Sequence, residues 1–166
     1  MPNWCNNSFA ITGNTESIKD LWESAQTAGP DGGFGLLEAM APIGDWSYGT
    51  AVDTWGTKWD VSDEGLEFVD NGDGTAVIDG WFDSAWAPPI GAYEKFADDN
   101  DNCDISASYF EPGMDFAGFW HGYEEHLDDL HDVWENDPDN ELFRRLDDEY
   151  ALSEQFAEWA EEFSEE

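Results

Sequence analysis

The chain has 166 residues, and its 40 Asp and Glu against 5 Lys and Arg give a formal net charge of -35 at pH 7. High charge with few apolar groups produces disorder, but a 40% hydrophobic content with ten tryptophans supplies a core, so the chain reads as a folded polyanion. Its five cations, Lys19, Lys58, Lys95, Arg144 and Arg145, cannot neutralise a run of phosphates, which excludes direct nucleic-acid binding; the same sign excludes an anionic membrane surface.

The length fits one domain, or a domain with an appendage. No run of eighteen apolar residues occurs, and the start MPNWCNNS lacks the basic and apolar stretches of a signal peptide, so a cytoplasmic location is expected. Cys5 and Cys103 are too few for a disulfide framework and read as free thiols.

In chain order, the alternation around Phe9 and Ile11 predicts a strand over 3–13, closed by Gly13-Asn14. Ile18, Leu21, Trp22 and Ala25 recur at helical spacing after Thr15, and Gly29-Pro30 stops that helix. After a glycine-rich loop and the short apolar piece LLEAMAPI, Trp46, Trp55 and Trp59 are expected to bracket a helical turn running into a strand at 57–61. The runs 66–69 and 75–82 flank Asp70-Asn71-Gly72-Asp73-Gly74 and read as a hairpin. Pro88-Pro89 opens a helix whose inner face is Ile90, Tyr93 and Phe96. Strands are predicted at 104–110 and 114–122, joined by Glu111-Pro112-Gly113.

Beyond Gly122 there is no Thr or Gly and a single Pro. Tyr123, Leu127, Leu130 and Trp134 form an amphipathic stripe that predicts a helix ending near Pro138. Leu142, Phe143, Leu146 and Tyr150 form a second stripe, and Leu152, Phe156, Trp159 and Phe163 a third; whether these are two helices or one bent helix stays open. The expected fold is α+β: a ferredoxin-like split βαβ sandwich over 1–122, an antiparallel sheet with helices on one face, and an acidic helical extension over 123–166 packed on it. Trp22, Trp55 and Trp59 are expected in the core, whereas Trp4, Trp81 and Trp86 are left open.

Three blocks, MPNWCNNSFAITG, WGTKWDV and WFDSAWAPP, resemble the Api92-like (YubB) family of phage and plasmid proteins over residues 1–122. The resemblance implies a mobile-element origin and a ferredoxin-like domain. It brings no reaction, cofactor or catalytic residue, and it does not extend to the tail.

No chemistry-bearing motif stands out. A GxSxG elbow, a P-loop and a dinucleotide-binding glycine pattern are missing, and no cofactor is expected. His121, His126 and His131 are spaced by five residues, which turns successive rings by about 140° on a helix, so no shared metal ion is expected there. Asp70 to Gly74 lacks the register and distal Glu of a calcium loop.

What the sequence offers instead is charge. From Glu124 to Glu166 there are 18 acidic residues against 2 arginines. Along one helical axis that is a carboxylate every 3.6 Å or so, close to the roughly 3.4 Å per phosphate of a DNA strand. The expectation is therefore a non-enzymatic decoy that imitates nucleic acid and occupies the Lys/Arg-lined groove of a host protein, with anti-restriction and anti-CRISPR inhibitors as the natural class. The candidate partner-binding residues are Glu124, Glu125, Asp128, Asp129, Asp132 and Glu135, then Asp147, Asp148, Glu149, Glu154, Glu158, Glu161 and Glu162. The alternative is a structural or accessory mobile-element protein whose acidity only solubilises it, salt adaptation included, because the first 100 residues also carry 18 acids against 3 lysines.

Overall fold

A computed structural model describes residues 3–164, with side chains to Glu162. The expected inward position of Phe163 and the charges of Glu165 and Glu166 therefore lie outside the described side chains. Among the described residues are six strands, β1 (Trp4–Asn14), β2 (Leu66–Asp70), β3 (Thr75–Ala85), β4 (Cys103–Glu111), β5 (Phe116–Trp120) and β6 (Glu124–Leu127). There are seven α-helices: α1 (Thr15–Ala28), α2 (Leu36–Met40), α3 (Tyr48–Trp55), α4 (Ile90–Asp99), α5 (Leu130–Asn136), α6 (Glu141–Tyr150) and α7 (Leu152–Ser164). The strands form one open antiparallel sheet in the order β2-β3-β1-β4-β5-β6.

Local chemistry sets the boundaries. The Asn14 side chain accepts the Ser17 N–H at 2.8 Å and starts α1 where β1 ends. Pro89 precedes α4, whose inner face carries buried Tyr93 and Phe96. At the β2–β3 turn Asp70 and Asp73 accept N–H groups of Gly72 and Thr75, so both acids serve the turn itself.

Strand alternation assigns the two faces. Phe9, Ile11, Ile78, Phe82, Ile105 and Ala107 point to the face covered by α1–α4 and build the larger core. Phe110 and Ala117, register partners across β4 and β5, point to the other face. There they meet Leu130, Phe143, Leu146, Leu152 and Phe156 in a second core. Helices thus lie on both faces of the sheet: α1–α4 fill one, and the C-terminal helices lay their own apolar stripes on the other.

Two predicted elements differ from the structure. Residues 123–127 were expected in a helix, but Glu124–Leu127 is an edge strand paired with β5, so the sheet continues past residue 122 into the expected helical extension. Gly122, at φ +91°, makes the tight turn that allows the pairing. The helix is delayed to Leu130 because Asp115, from the β4–β5 turn, receives the Leu130 N–H on its carbonyl and the His131 N–H on its carboxylate. Residues 57–61 form no strand. There the Thr57 hydroxyl donates to the Ala85 carbonyl at 2.7 Å, and the Asp60 carboxylate accepts N–H groups from Leu37 and Glu38 at the start of α2. Trp55 is buried, Trp22 is half-buried, and Trp59 is 38% exposed, so Trp59 is not the core residue expected.

The three sequence blocks meet in space. Trp4 lies 6.1 Å from Trp59, Asn7 donates to the Ser84 hydroxyl at 2.9 Å, and Thr57 reaches Ala85. One knot at the ends of β1 and β3 joins all three.

Candidate functional site

The thirteen candidate acids sit on four elements and one connection. Glu124 and Glu125 are on β6, Asp128 and Asp129 lie in the link to α5, and Asp132 and Glu135 are on α5. Asp147, Asp148 and Glu149 are on α6, and Glu154, Glu158, Glu161 and Glu162 on α7. Because β6 alternates, Glu124 and Glu125 face opposite sides of the sheet.

Several of these carboxylates are engaged within the fold. Glu125 receives both terminal nitrogens of Arg145, at 2.7 and 3.1 Å, and lies 2.7 Å from His121 Nε2. Those hydrogen bonds, Arg145 first, hold its pKa down to about 2. Tyr109 donates its hydroxyl to Glu124 at 2.6 Å and stands 2.8 Å from His126, whose far nitrogen is 2.9 Å from Asp128. Asp147 accepts the N–H and hydroxyl of Ser153 and so fixes the junction of α6 and α7. Glu149 accepts from Ser108 at 3.2 Å, and Asp132 from Asn136 at 2.9 Å. Glu161 is also engaged.

The others point outward. Asp129, Glu135, Asp148, Glu154, Glu158 and Glu162 are exposed and have no side-chain partner among the described residues. Three of the five cations are already occupied nearby: Lys19 with Glu23 at 3.9 Å, Lys95 with Asp99 at 2.7 Å, and Arg145 with Glu125. Among the described residues, no salt bridge reaches the six outward carboxylates.

The charge does not run along one axis as expected. α5, α6 and α7 have 7, 10 and 13 residues, separated by Pro138 and by the left-handed Ala151. On α7 the four-residue spacing of Glu154, Glu158 and Glu162 makes a stripe with a carboxylate roughly every 6 Å of rise. The outward carboxylates are thus spread over several short helices and not along one.

Sequence reasoning missed a second surface. α5–α7 cover only the β4–β6 side of their face, leaving Trp81, 55% exposed, over β1 and β3 with Asn6, Ser8 and Asp83 beside it and Glu149 and Tyr150 at the border. Gly65 lies under the Trp81 ring, where a Cβ would collide with it. The alternation of Ser8, Trp81 and Asp83 out of the first core was the signal, but it becomes legible only once the face left bare is known.

No family model, curated protein or solved structure matches this chain. The histidines do not converge: among the described residues no group of three or more His, Cys, Asp or Glu is placed to hold a metal ion. No described helix is long and apolar enough to cross a membrane.

Proposed function

We propose that this chain is a phage- or plasmid-encoded decoy that presents carboxylates in place of phosphates and occupies the basic groove of a host nucleic-acid-binding protein, such as a restriction enzyme or CRISPR effector. The observation that carries the reading is the set of outward carboxylates on α5–α7, anchored by an aromatic core and left without cationic partners among the described residues. A rigid, uncompensated field of this kind steers a Lys/Arg-rich surface to itself and rejects other anions. The inner order β2-β3-β1-β4, with α1 and α4 following β1 and β3, supports a ferredoxin-like split βαβ body. The spatial meeting of the three blocks that resemble the YubB family supports a shared scaffold, and with it the mobile-element origin.

The structure selects the variants that test this. Asp128 is tied to His126, and Asp129 has a left-handed backbone, φ 53°, so reversing them mixes charge with strain. Neutralising Glu135, Asp148, Glu154, Glu158 and Glu162 to their amides instead removes five unengaged charges. Host proteins retained by the immobilised chain should be displaced by duplex DNA or RNA, and the quintuple variant should bind them at least 100-fold more weakly with an unchanged circular dichroism spectrum. Retention that neither polynucleotide displaces, or that survives neutralisation, would sink the decoy reading. The salt-adaptation reading, favoured by the acids of the first 100 residues, predicts instead a chain that is unfolded at low salt and folds only in concentrated potassium chloride.

A further inference from the structure

A cavity of about 680 Å³ lies away from the acidic tail, between the end of α1, α2, the loop before α3 and residues 59–61. This falls in the range of small-molecule sites, roughly 300–1,000 Å³. Its walls include Phe34, Trp46 and Trp59, its charged lining groups are Glu38, Asp45 and Asp60, and the one cation against a wall among the described residues is Lys58, over the Trp59 ring.

The walls are held in place. Trp46 Nε1 donates to the Lys58 carbonyl at 2.9 Å. Asp60 accepts the N–H groups of Leu37, Glu38 and Val61 at 2.8, 3.0 and 2.8 Å, and Glu38 accepts those of Ile43 and Gly44 at 3.0 and 3.1 Å. These bonds bear on which cation fits. Backbone donors already take three of the roughly four acceptor sites of Asp60 and two of those of Glu38, which leaves fewer for the N–H groups of a primary ammonium. A head with no N–H groups needs none: it gains from the negative field and from the aromatic faces. The Trp59 ring already shows this affinity, with Lys58 Nζ 4.5 Å from its centroid.

We propose that this cavity binds a small quaternary ammonium compound, its cationic head against Trp46 and Trp59 and in the field of Glu38, Asp45 and Asp60. The site is independent of the decoy reading and shares no residue with it.

The test is a titration of the full chain with choline, followed through the tryptophan indole N–H signals by NMR at constant ionic strength. The control is 3,3-dimethylbutan-1-ol, which has the shape of choline without the charge. Choline should give saturable shifts at the indoles of Trp46 and Trp59, with the alcohol roughly tenfold weaker. Trp46→Leu, at a half-exposed position, should weaken choline by roughly tenfold while its remaining indole signals report an intact fold. Asp45→Asn, an exposed change that cannot disturb the core, should weaken it roughly threefold. Equal binding of the alcohol, shifts that stay linear and are reproduced by potassium chloride, or wild-type affinity in both variants would overturn the site.

Discussion

Replacing Phe156 by alanine is expected to remove about 3–5 kcal/mol of stability, the loss seen when a large aromatic side chain is deleted from a packed core. Phe156 is 1% exposed and central to the second core, with His131, Trp134 and Trp159 rings at 3.9, 5.5 and 5.7 Å. That core is small: its buried members are Phe110, Ala117, Leu130, Phe143, Leu146, Leu152 and Phe156. Losing its centre should therefore release α5–α7 while β1–β4, held by the larger core on the other face, keep their protection. Amide hydrogen exchange checks this directly. Phe156→Leu, which keeps most of the volume, should lose much less. A loss below about 1.5 kcal/mol for the alanine variant would show that Phe156 is not the centre of a packed core, and exchange that rises evenly through the sheet would show that the two cores are one cooperative unit.

The second large effect is alkaline unfolding. Burial pushes the Cys5 thiol from 9.0 up to about 12, and raises the phenols of Tyr93, Tyr109 and Tyr150 as well. A Glu124 hydrogen bond adds to the effect at Tyr109. Above pH 9 the unfolded chain releases protons that the folded chain retains, so stability is complete below pH 9 and falls as pH rises. At about 1.4 kcal/mol per pH unit, Cys5 alone withdraws roughly 4 kcal/mol by pH 12. The tyrosines act from about pH 10 upward in the same direction. Circular dichroism should collapse in one steep transition between pH 9 and 12, with the phenolate absorbance of buried Tyr93 and Tyr109 and half-buried Tyr150 rising in the same step, and Cys5→Ala should move the midpoint upward. Phenolate formation at those three residues with the fold intact would contradict this.

The elements legible in the sequence were those where periodicity and punctuation agree. β1 and α1 meet at Asn14, the β2–β3 hairpin is marked by its Asp and Gly residues, and α4 follows two prolines. Residues 123–127 misled because Tyr123 and Leu127 satisfy both a period of 3.6 and a period of 2. The decision came from Gly122 and from Asp115, which caps α5 from another part of the chain. Trp59 was placed inside because tryptophan usually is, yet the neighbouring Asp60 is spent on α2 and holds its segment at the rim of a cavity. For the candidate surface, that the acids face outward follows from their number. Which of them are engaged does not: Arg145 reaches Glu125 only through the tertiary fold, and the local contacts of His126 with Asp128 and Ser153 with Asp147 depend on a strand and a helix junction that periodicity did not reveal.

The sheet is open, so β2 and β6 each offer an unpaired row of backbone groups to any passing strand. Both carry carboxylates, Glu67 and Asp70 on one and Glu124 and Glu125 on the other. A second copy approaching edge to edge meets its own sign of charge at each rim, so polymerisation through added strands is disfavoured at the concentrations an abundant protein reaches.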